Sequence, residues 1–286
     1  MKDVGAIRDY LLAGRNPDGG WGYARGKGSR LEPTCCAVLA LGDPQLARAA
    51  LASWPVRDGL LLERAGGDPN FGFHALALIA LGASGLEHSA GNTVLINGLQ
   101  RAGGLRLAPS TINRQDNHLQ GWSWIADTFS WVEPTAWGVL ALKRARSLRW
   151  SGVDNARLNE CQSVLFDRAS PTGGWNYGNS NMLGTELHAY VPNTAVALLA
   201  LQDKADDPAV RRSVAFLEEH STWECSSYAL GLAAIALRAY GRDVGPVLGA
   251  LERQVPVTCD LNQQLGVALA LLAMREENAT KAFTLS

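Results

Sequence analysis

One pattern occurs three times in this chain: a Gly-Trp turn, then a threonine at the start of an apolar segment, then a run of alanine, leucine and valine. The copies cover residues 16–41, 121–142 and 171–202. Their tryptophans lie roughly one hundred and then roughly fifty residues apart, which fits a unit of about fifty residues with a weaker copy between the first two. Self-similarity of this kind predicts a repeat architecture.

The apolar runs predict two alternating kinds of helix. One kind is apolar nearly all round and must be buried on most sides; we expect it near 34–42, 72–82, 134–146, 192–202, 225–240 and 261–275. The other is amphipathic and belongs outside, near 3–14, 45–53, 90–101, 153–167, 207–220 and 243–253. Six hairpins of one inner and one outer helix predict an all-α fold, an (α/α)6 toroid whose last hairpin closes on the first. We expect one domain over 1–286, with repeats at roughly 1–42, 43–82, 88–146, 151–202, 205–240 and 243–276.

Composition excludes several classes of protein. The net charge of -1 argues against nucleic acid as a partner, because nucleic-acid-binding proteins carry a positive excess. No apolar run reaches the roughly 18 residues of a membrane span, and the first residues lack the pattern of a secretory signal, so we expect a cytoplasmic protein. The five cysteines show no zinc-like spacing, and we expect neither a metal nor a cofactor.

Two connections, at about 102–132 and 168–190, are longer than usual, and long ordered loops tend to be functional. The first is rich in aromatic and polar residues. Its tryptophans, together with one on the following helix, predict a ligand site at one mouth of the ring: Trp122, Trp124, Trp131 and Trp137. Packing between repeats is the alternative role for these side chains.

At these residues the chain resembles the prenyltransferase and squalene oxidase repeat family, which includes squalene-hopene cyclases, class II diterpene cyclases and protein prenyltransferase β subunits. The Gly-Gly-Trp turns resemble the ends of the cyclases' Gln-Trp motifs, and the Ala/Leu-rich segments resemble their inner helices. The resemblance implies a single-barrel terpene cyclase-like enzyme, an isomerase or lyase. Its implied ligand is a hydrophobic isoprenoid-like molecule, held in a central aromatic-lined cavity. Peripheral membrane contact stays an open alternative.

Class II cyclases protonate their substrate with an acid from an Asp-x-Asp-Asp-Thr-Ala pattern. Residues 131–136, Trp-Val-Glu-Pro-Thr-Ala, resemble this pattern, with Glu133 in the middle acid position and the other two acids replaced. Glu133 is therefore the first candidate acid, and Asp127 in the preceding loop is the second. A helix-start role is the alternative for Glu133, because Glu32 occupies the same place in the first repeat.

His74, His118 and Tyr190 complete the predicted site as polar or proton-relay groups, although a hydrogen-bonded core histidine is the alternative for His74. The basic stretch 143–149 is interpreted as the solvated end of a helix, with diphosphate or membrane-surface binding as its alternative. Without the full acid motif, the chain also fits a catalytically silent toroid that binds an isoprenoid or a protein. A carbohydrate-active toroid would need two well-placed carboxylates.

Overall fold

The computed structural model describes residues 3–285. Over these residues the chain forms thirteen α-helices and two short antiparallel hairpins, β1–β2 (Val56–Arg57 and Leu60–Leu61) and β3–β4 (Asn181–Met182 and Thr185–Glu186). The helices are α1 Val4–Ala13, α2 Leu31–Leu41, α3 Pro44–Leu51, α4 Phe71–Ala83, α5 Asn92–Arg101, α6 Val132–Ser147, α7 Asn155–Asp167, α8 Val191–Ala200, α9 Pro208–His220, α10 Ser227–Ala239, α11 Gly245–Asp260, α12 Gln264–Met274 and α13 Glu276–Phe283.

The even-numbered helices form a closed inner ring. Each of α2, α4, α6, α8, α10 and α12 packs on the next, and α12 packs on α2. The odd-numbered helices α1 to α11 lie outside, and each contacts the inner helix that precedes it around the ring, so that α1 contacts α12. This arrangement is the predicted (α/α)6 toroid, and the sequence-based assignment of the fold is confirmed.

Burial explains why the two kinds of helix sort as they do. Every residue of α2 is buried, and α4 buries all but two of its thirteen residues, because these segments carry apolar side chains on all faces. The outer helices bury only one stripe. Four of them begin at an aspartate whose carboxylate accepts a hydrogen bond from the first-turn amides, which stabilises the helix start: Asp3, Asp43, Asp154 and Asp207.

The repeated Gly-Trp turns pin each hairpin at the end where the inner helices begin. In all three copies the tryptophan is fully buried, its amide donates to the threonine hydroxyl of the inner helix, and its indole donates to the last carbonyls of the outer helix. The pairs are Trp21 with Thr34 and Leu11, Trp122 with Thr135 and Leu99, and Trp175 with Thr194 and Leu165. The repeated pattern therefore encodes one hydrogen-bonded staple per copy.

Helix α13 falls outside the predicted repeats. It packs on α2, α4, α10 and α12 and covers the end of the ring where the inner helices finish. Asn278 and Arg275 donate to the carbonyls of Ala40 and Leu41 at the end of α2, and Gln202 donates to the Phe283 carbonyl. We call this the sealed end and the opposite end, where the inner helices begin, the mouth.

The interpretation of the basic stretch 143–149 as a solvated helix end is wrong for its first two residues, whereas Arg146 and Arg149 are exposed. Lys143 is buried and donates to the Ala200 carbonyl at 2.8 Å while it pairs with Asp203. Arg144 donates to the carbonyls of Lys281 and Thr284, each at 2.7 Å. Both cations satisfy carbonyls that would otherwise be unpaired where helices end.

Candidate functional site

The two long loops meet at the mouth and enclose a cavity of about 540 Å³ above the starts of α6 and α8. This volume lies within the range of about 300–1,000 Å³ that small-molecule sites occupy. Most of its wall is apolar and is formed by Leu105, Leu107, Leu119, Phe129, Trp131, Tyr177, Leu187 and Tyr190. We call this space the loop cavity. It differs in position from the predicted central cavity.

The staples position two of these aromatic side chains. Trp131 and Tyr190 are the residues that directly precede α6 and α8. The amide of Trp131 donates to the carbonyl of Trp122 at 2.9 Å, and the amide of Tyr190 donates to that of Trp175 at 2.8 Å. Each buried tryptophan thus fixes the backbone of the aromatic residue that faces the ligand space.

The four aromatic side chains of the loop cavity form a connected wall. The rings of Phe129 and Trp131 lie 4.6 Å apart between centroids, and those of Tyr177 and Tyr190 lie 5.0 Å apart. The Tyr177 carbonyl accepts the first amide of α6 at 2.9 Å, which holds the second pair beside the first. Tyr177 is 54% exposed, so this wall is open to a ligand.

The polar lining of the loop cavity is already largely paired within the protein. The Arg168 guanidinium is buried, pairs with Asp167 and donates to the Asp116 carbonyl; burial lowers the pKa of Arg168 to about 10. Gln115 donates to Asn117, whose own amide donates to the Ala108 carbonyl. Glu186 pairs with Arg114 at 3.3 Å.

Few contacts join the two loops across the opening of this cavity. The amide of Leu183, at the tip of the β3–β4 hairpin, donates to the Ile112 carbonyl at 2.7 Å, and the Arg114–Glu186 pair lies beside it. A second groove of about 720 Å³ lies on the other side of this hairpin and shares Glu186, Leu187 and His188 with the loop cavity. The segment 186–188 is therefore a thin wall between two spaces.

A separate acidic cluster lies at the axis of the ring. The hydroxyl of Tyr23 donates to Glu32 at 2.7 Å, and the hydroxyl of Tyr228 donates to Glu133 at 3.0 Å. Glu32 is only 8% exposed; burial, and then the negative charge of Glu133, raise its pKa to about 8, against the hydrogen bond from Tyr23. Burial also raises the pKa of Glu133, while polar contacts with Tyr228 and Trp137 act in the opposite direction.

Below this cluster the axis is occupied by side chains. Trp137 lies one helical turn after Glu133, is almost completely buried, and packs against Phe283 of α13 with ring centroids 5.9 Å apart. Cys36 of α2 is also buried, and its pKa is raised by burial and then by the charge of Glu32. Aromatic side chains and α13 thus close the path from the axial cluster toward the sealed end.

The structure distributes the predicted site residues over five places. Trp131 and Tyr190 line the loop cavity, and Glu133 and Trp137 lie at the axis. Trp122 and His74 are fully buried inside hairpins, and Trp124 packs on Phe73 at the start of α4. His118 and Asp127 are exposed in the first long loop, and Asp127 has a φ of 60°.

The two ring nitrogens of His74 are both used in the core. The amide of Leu61 donates to Nδ1 at 2.9 Å, and Nε2 lies 3.0 Å from the Leu95 carbonyl. This pattern fixes the proton on Nε2, and burial lowers the pKa of His74 to about 4. His74 therefore joins β2 to α5 as a neutral side chain.

Sequence reasoning did not select Tyr177 or the leucines of the loop cavity. Tyr177 had a usable signal, because it follows the third repeated tryptophan by two residues, as Tyr23 follows the first. The leucines had none, since they are separated along a loop whose path the sequence pattern does not specify. At the axis, Tyr228 was also missed because it comes from a different repeat.

Comparison with known proteins supports the toroid fold, and the similar solved structures belong to proteins with several different activities. No protein-family description matches the chain, and no curated protein sequence matches it. Among solved structures it is similar to a glycosidase variant in complex with glucose, with a TM-score of 0.63 and 11% identity over 96% of both chains.

Two further toroids come from different enzyme classes. A type II terpene cyclase from Scytonema in complex with geranylgeranyl dihydroxybenzoate matches with a TM-score of 0.54 and 13% identity, covering 97% of this chain and 96% of that one. A cellobiose 2-epimerase from Spirochaeta thermophila matches with a TM-score of 0.54 and 12% identity, covering 96% and 97%. The likeness at these identities is one of fold. Within residues 3–285, no helix combines the length and apolar character needed to cross a bilayer.

Proposed function

We propose that this protein binds an apolar, isoprenoid-like small molecule in the loop cavity. The observation that carries the proposal is the connected wall of Phe129, Trp131, Tyr177 and Tyr190, which faces a space of about 540 Å³ together with four leucines. Large aromatic side chains that remain exposed on a rigid frame supply apolar contact area at little entropic cost. The family resemblance of the repeats agrees with this class of ligand.

The geometry favours binding over acid-initiated cyclisation. Glu133 is not part of the loop-cavity wall, and its carboxylate is held by Tyr228 at the axis. A raised pKa makes Glu133 a weaker proton donor, whereas a weakly basic alkene requires a strong one. Asp127 is exposed and likewise lies outside the cavity wall. The catalytically silent alternative is thus the better supported form of the isoprenoid function.

A titration of the protein with farnesol and geranylgeraniol, followed by tryptophan fluorescence, tests the proposal. We expect saturable binding that changes the fluorescence of the wild-type protein, and a much smaller change in Trp131→Phe, because Trp131 contacts the ligand space directly. Absence of saturable binding across this series would reject the function. Extraction of the mixtures and gas chromatography coupled to mass spectrometry report whether any cyclised product forms, because a cyclised isomer has the same mass as the linear alcohol and must be separated from it.

A carbohydrate-active toroid is the second candidate, and the axial cluster is the observation that favours it. Glycosidases use two carboxyl groups, one of which has a raised pKa and donates a proton. Glu32 and Glu133 interact electrostatically at the axis, and the pKa of Glu32 is raised to about 8. Release of nitrophenol from aryl glycosides by the wild type, lost in both Glu32→Gln and Glu133→Gln, would support this candidate over isoprenoid binding.

A further inference from the structure

The charges around the loop cavity bear on which polar group its ligand carries. Of the described residues that line the cavity, Arg168 is the sole arginine or lysine. Its guanidinium already pairs with Asp167 and donates to the Asp116 carbonyl. An anionic group such as a diphosphate would therefore meet no unpaired arginine or lysine side chain in the described cavity wall. Burying an unpaired charge of this kind is costly.

The same wall offers favourable contacts to a cation. The faces of aromatic rings attract ammonium groups by about 0.5–2 kcal/mol, depending on desolvation. The two aromatic pairs adjoin one another, because the amide of Val132, which follows Trp131, donates to the Tyr177 carbonyl, and the Trp131 ring lies 3.9 Å from a Cβ built on Gly178. Four ring systems thus line the cavity beside one another.

Glu186 adds a carboxylate to this wall. Its Oε1 accepts from Arg114 at 3.3 Å and from Asn181 at 3.2 Å. Both contacts use the same oxygen, so Oε2 accepts no hydrogen bond from the described residues, and Glu186 lies on the wall that the loop cavity shares with the second groove. Glu186 and Arg114 are 44% and 72% exposed, and neither carries core packing.

We infer that the loop cavity selects an apolar ligand bearing a protonated amine over the corresponding alcohol or diphosphate. This selectivity rests on the proposed function, since it concerns the same cavity. In this arrangement the apolar chain of the ligand contacts the leucines, and its ammonium group contacts the aromatic pairs and Glu186. Glu186 is then the residue that determines specificity.

Isothermal titration of the full chain at neutral pH with farnesylamine, farnesol and farnesyl diphosphate tests this selectivity. We expect farnesylamine to bind at least tenfold more tightly than farnesol, and farnesyl diphosphate to bind most weakly. If farnesol or the diphosphate binds as tightly as the amine, the selectivity is overturned while the proposed function stands. If none of the three binds, the proposed function fails as well.

Two variants separate a charge effect from a structural one. Glu186→Gln should reduce the affinity for farnesylamine several-fold, toward the affinity for farnesol, and should leave the affinity for farnesol unchanged. Arg114→Gln should increase the affinity for farnesylamine several-fold, because it frees the Glu186 carboxylate from its ion pair. Loss of amine binding in both variants would indicate that the ion pair only supports the hairpin, and would overturn the assignment. Glu219→Gln, on the wall of the second groove, is the matched control and should leave the affinities for farnesylamine and farnesol unchanged.

Discussion

The mouth and the sealed end of the ring both present aromatic side chains, yet only the mouth leaves them accessible. At the sealed end, Trp137 packs against Phe283 and α13 covers both. At the mouth, Trp131 and Tyr190 stand at the starts of inner helices with an open cavity above them. The comparison shows that residue type does not distinguish core from ligand site here. What distinguishes them is whether another segment of the chain covers the rings.

Removing the covering ring should produce the largest effect. Phe283→Ala deletes a fully buried aromatic side chain at the sealed end, and we expect a loss of about 3–5 kcal/mol in the free energy of unfolding, measured by urea denaturation. Tyr177→Ala at the mouth is the control and should cost about 1 kcal/mol or less, because Tyr177 is 54% exposed. Equal losses in the two variants would erase the distinction between the ends.

The packing of α13 against the ring should depend on Arg144. Arg144→Ala removes two charge-assisted hydrogen bonds to the Lys281 and Thr284 carbonyls, and we expect a loss of about 2 kcal/mol. In this variant, the increase in amide hydrogen exchange relative to the wild type should be larger in residues 276–285 than elsewhere. Arg146→Ala, an exposed neighbour on the same helix, should leave both measurements unchanged. Protection of α13 that survives in Arg144→Ala would mean that Phe283 and the hydrogen bonds of Arg275, Asn278 and Gln202 are enough to hold the helix.

The axial cluster, between the two ends, should make stability depend on pH. The folded-state pKa of Glu32 is about 8, against 4.5 for the ordinary carboxyl, so the native state binds more protons than the unfolded state between these values. This group alone lowers stability as pH rises from about 4.5 to about 8, by at most about 1.4 kcal/mol per pH unit. The fall should be clearest between about 6.5 and about 8, because His74, whose pKa is lowered to about 4, acts in the opposite direction below about 6.5.

Glu32→Gln removes this titration and should flatten the pH dependence of the urea midpoint over the same window. Glu133 contributes in the same direction because its pKa is also raised, so a residual slope is expected in the single variant. A wild-type profile that is flat, or that rises with pH, between about 6.5 and about 8 would show that the two carboxylates are ionised in the folded protein without cost.

The smallest effect on stability, and a clear effect on binding, is expected at the mouth. Trp131→Ala should weaken farnesol binding about tenfold, which corresponds to about 1.4 kcal/mol, because it removes one ring from the cavity wall. The loss in the free energy of unfolding should be smaller in Trp131→Ala than in Phe283→Ala. Ile125→Ala lies in the same loop, outside the cavity wall, and should bind farnesol as the wild type does.

The candidate site was predictable only where it coincides with the repeat. Trp131 and Tyr190 directly precede inner helices, so their positions at the mouth follow from the helix starts. Trp122 carries the same kind of side chain, but as part of a staple it is buried under Gly138, where an added Cβ would lie 2.3 Å from the indole. Sequence spacing alone did not separate these two tryptophans.

The number of hairpins, their alternation and the closed ring were determined by the sequence, because each apolar segment can be buried only by neighbours of the same kind and the staples repeat with it. The tertiary structure decided where space remains. The loop cavity depends on how two loops from different repeats meet, and the filled axis depends on Phe283 reaching Trp137 from a helix outside the repeats. Contacts between residues so far apart in the chain are set by packing, which no local pattern encodes.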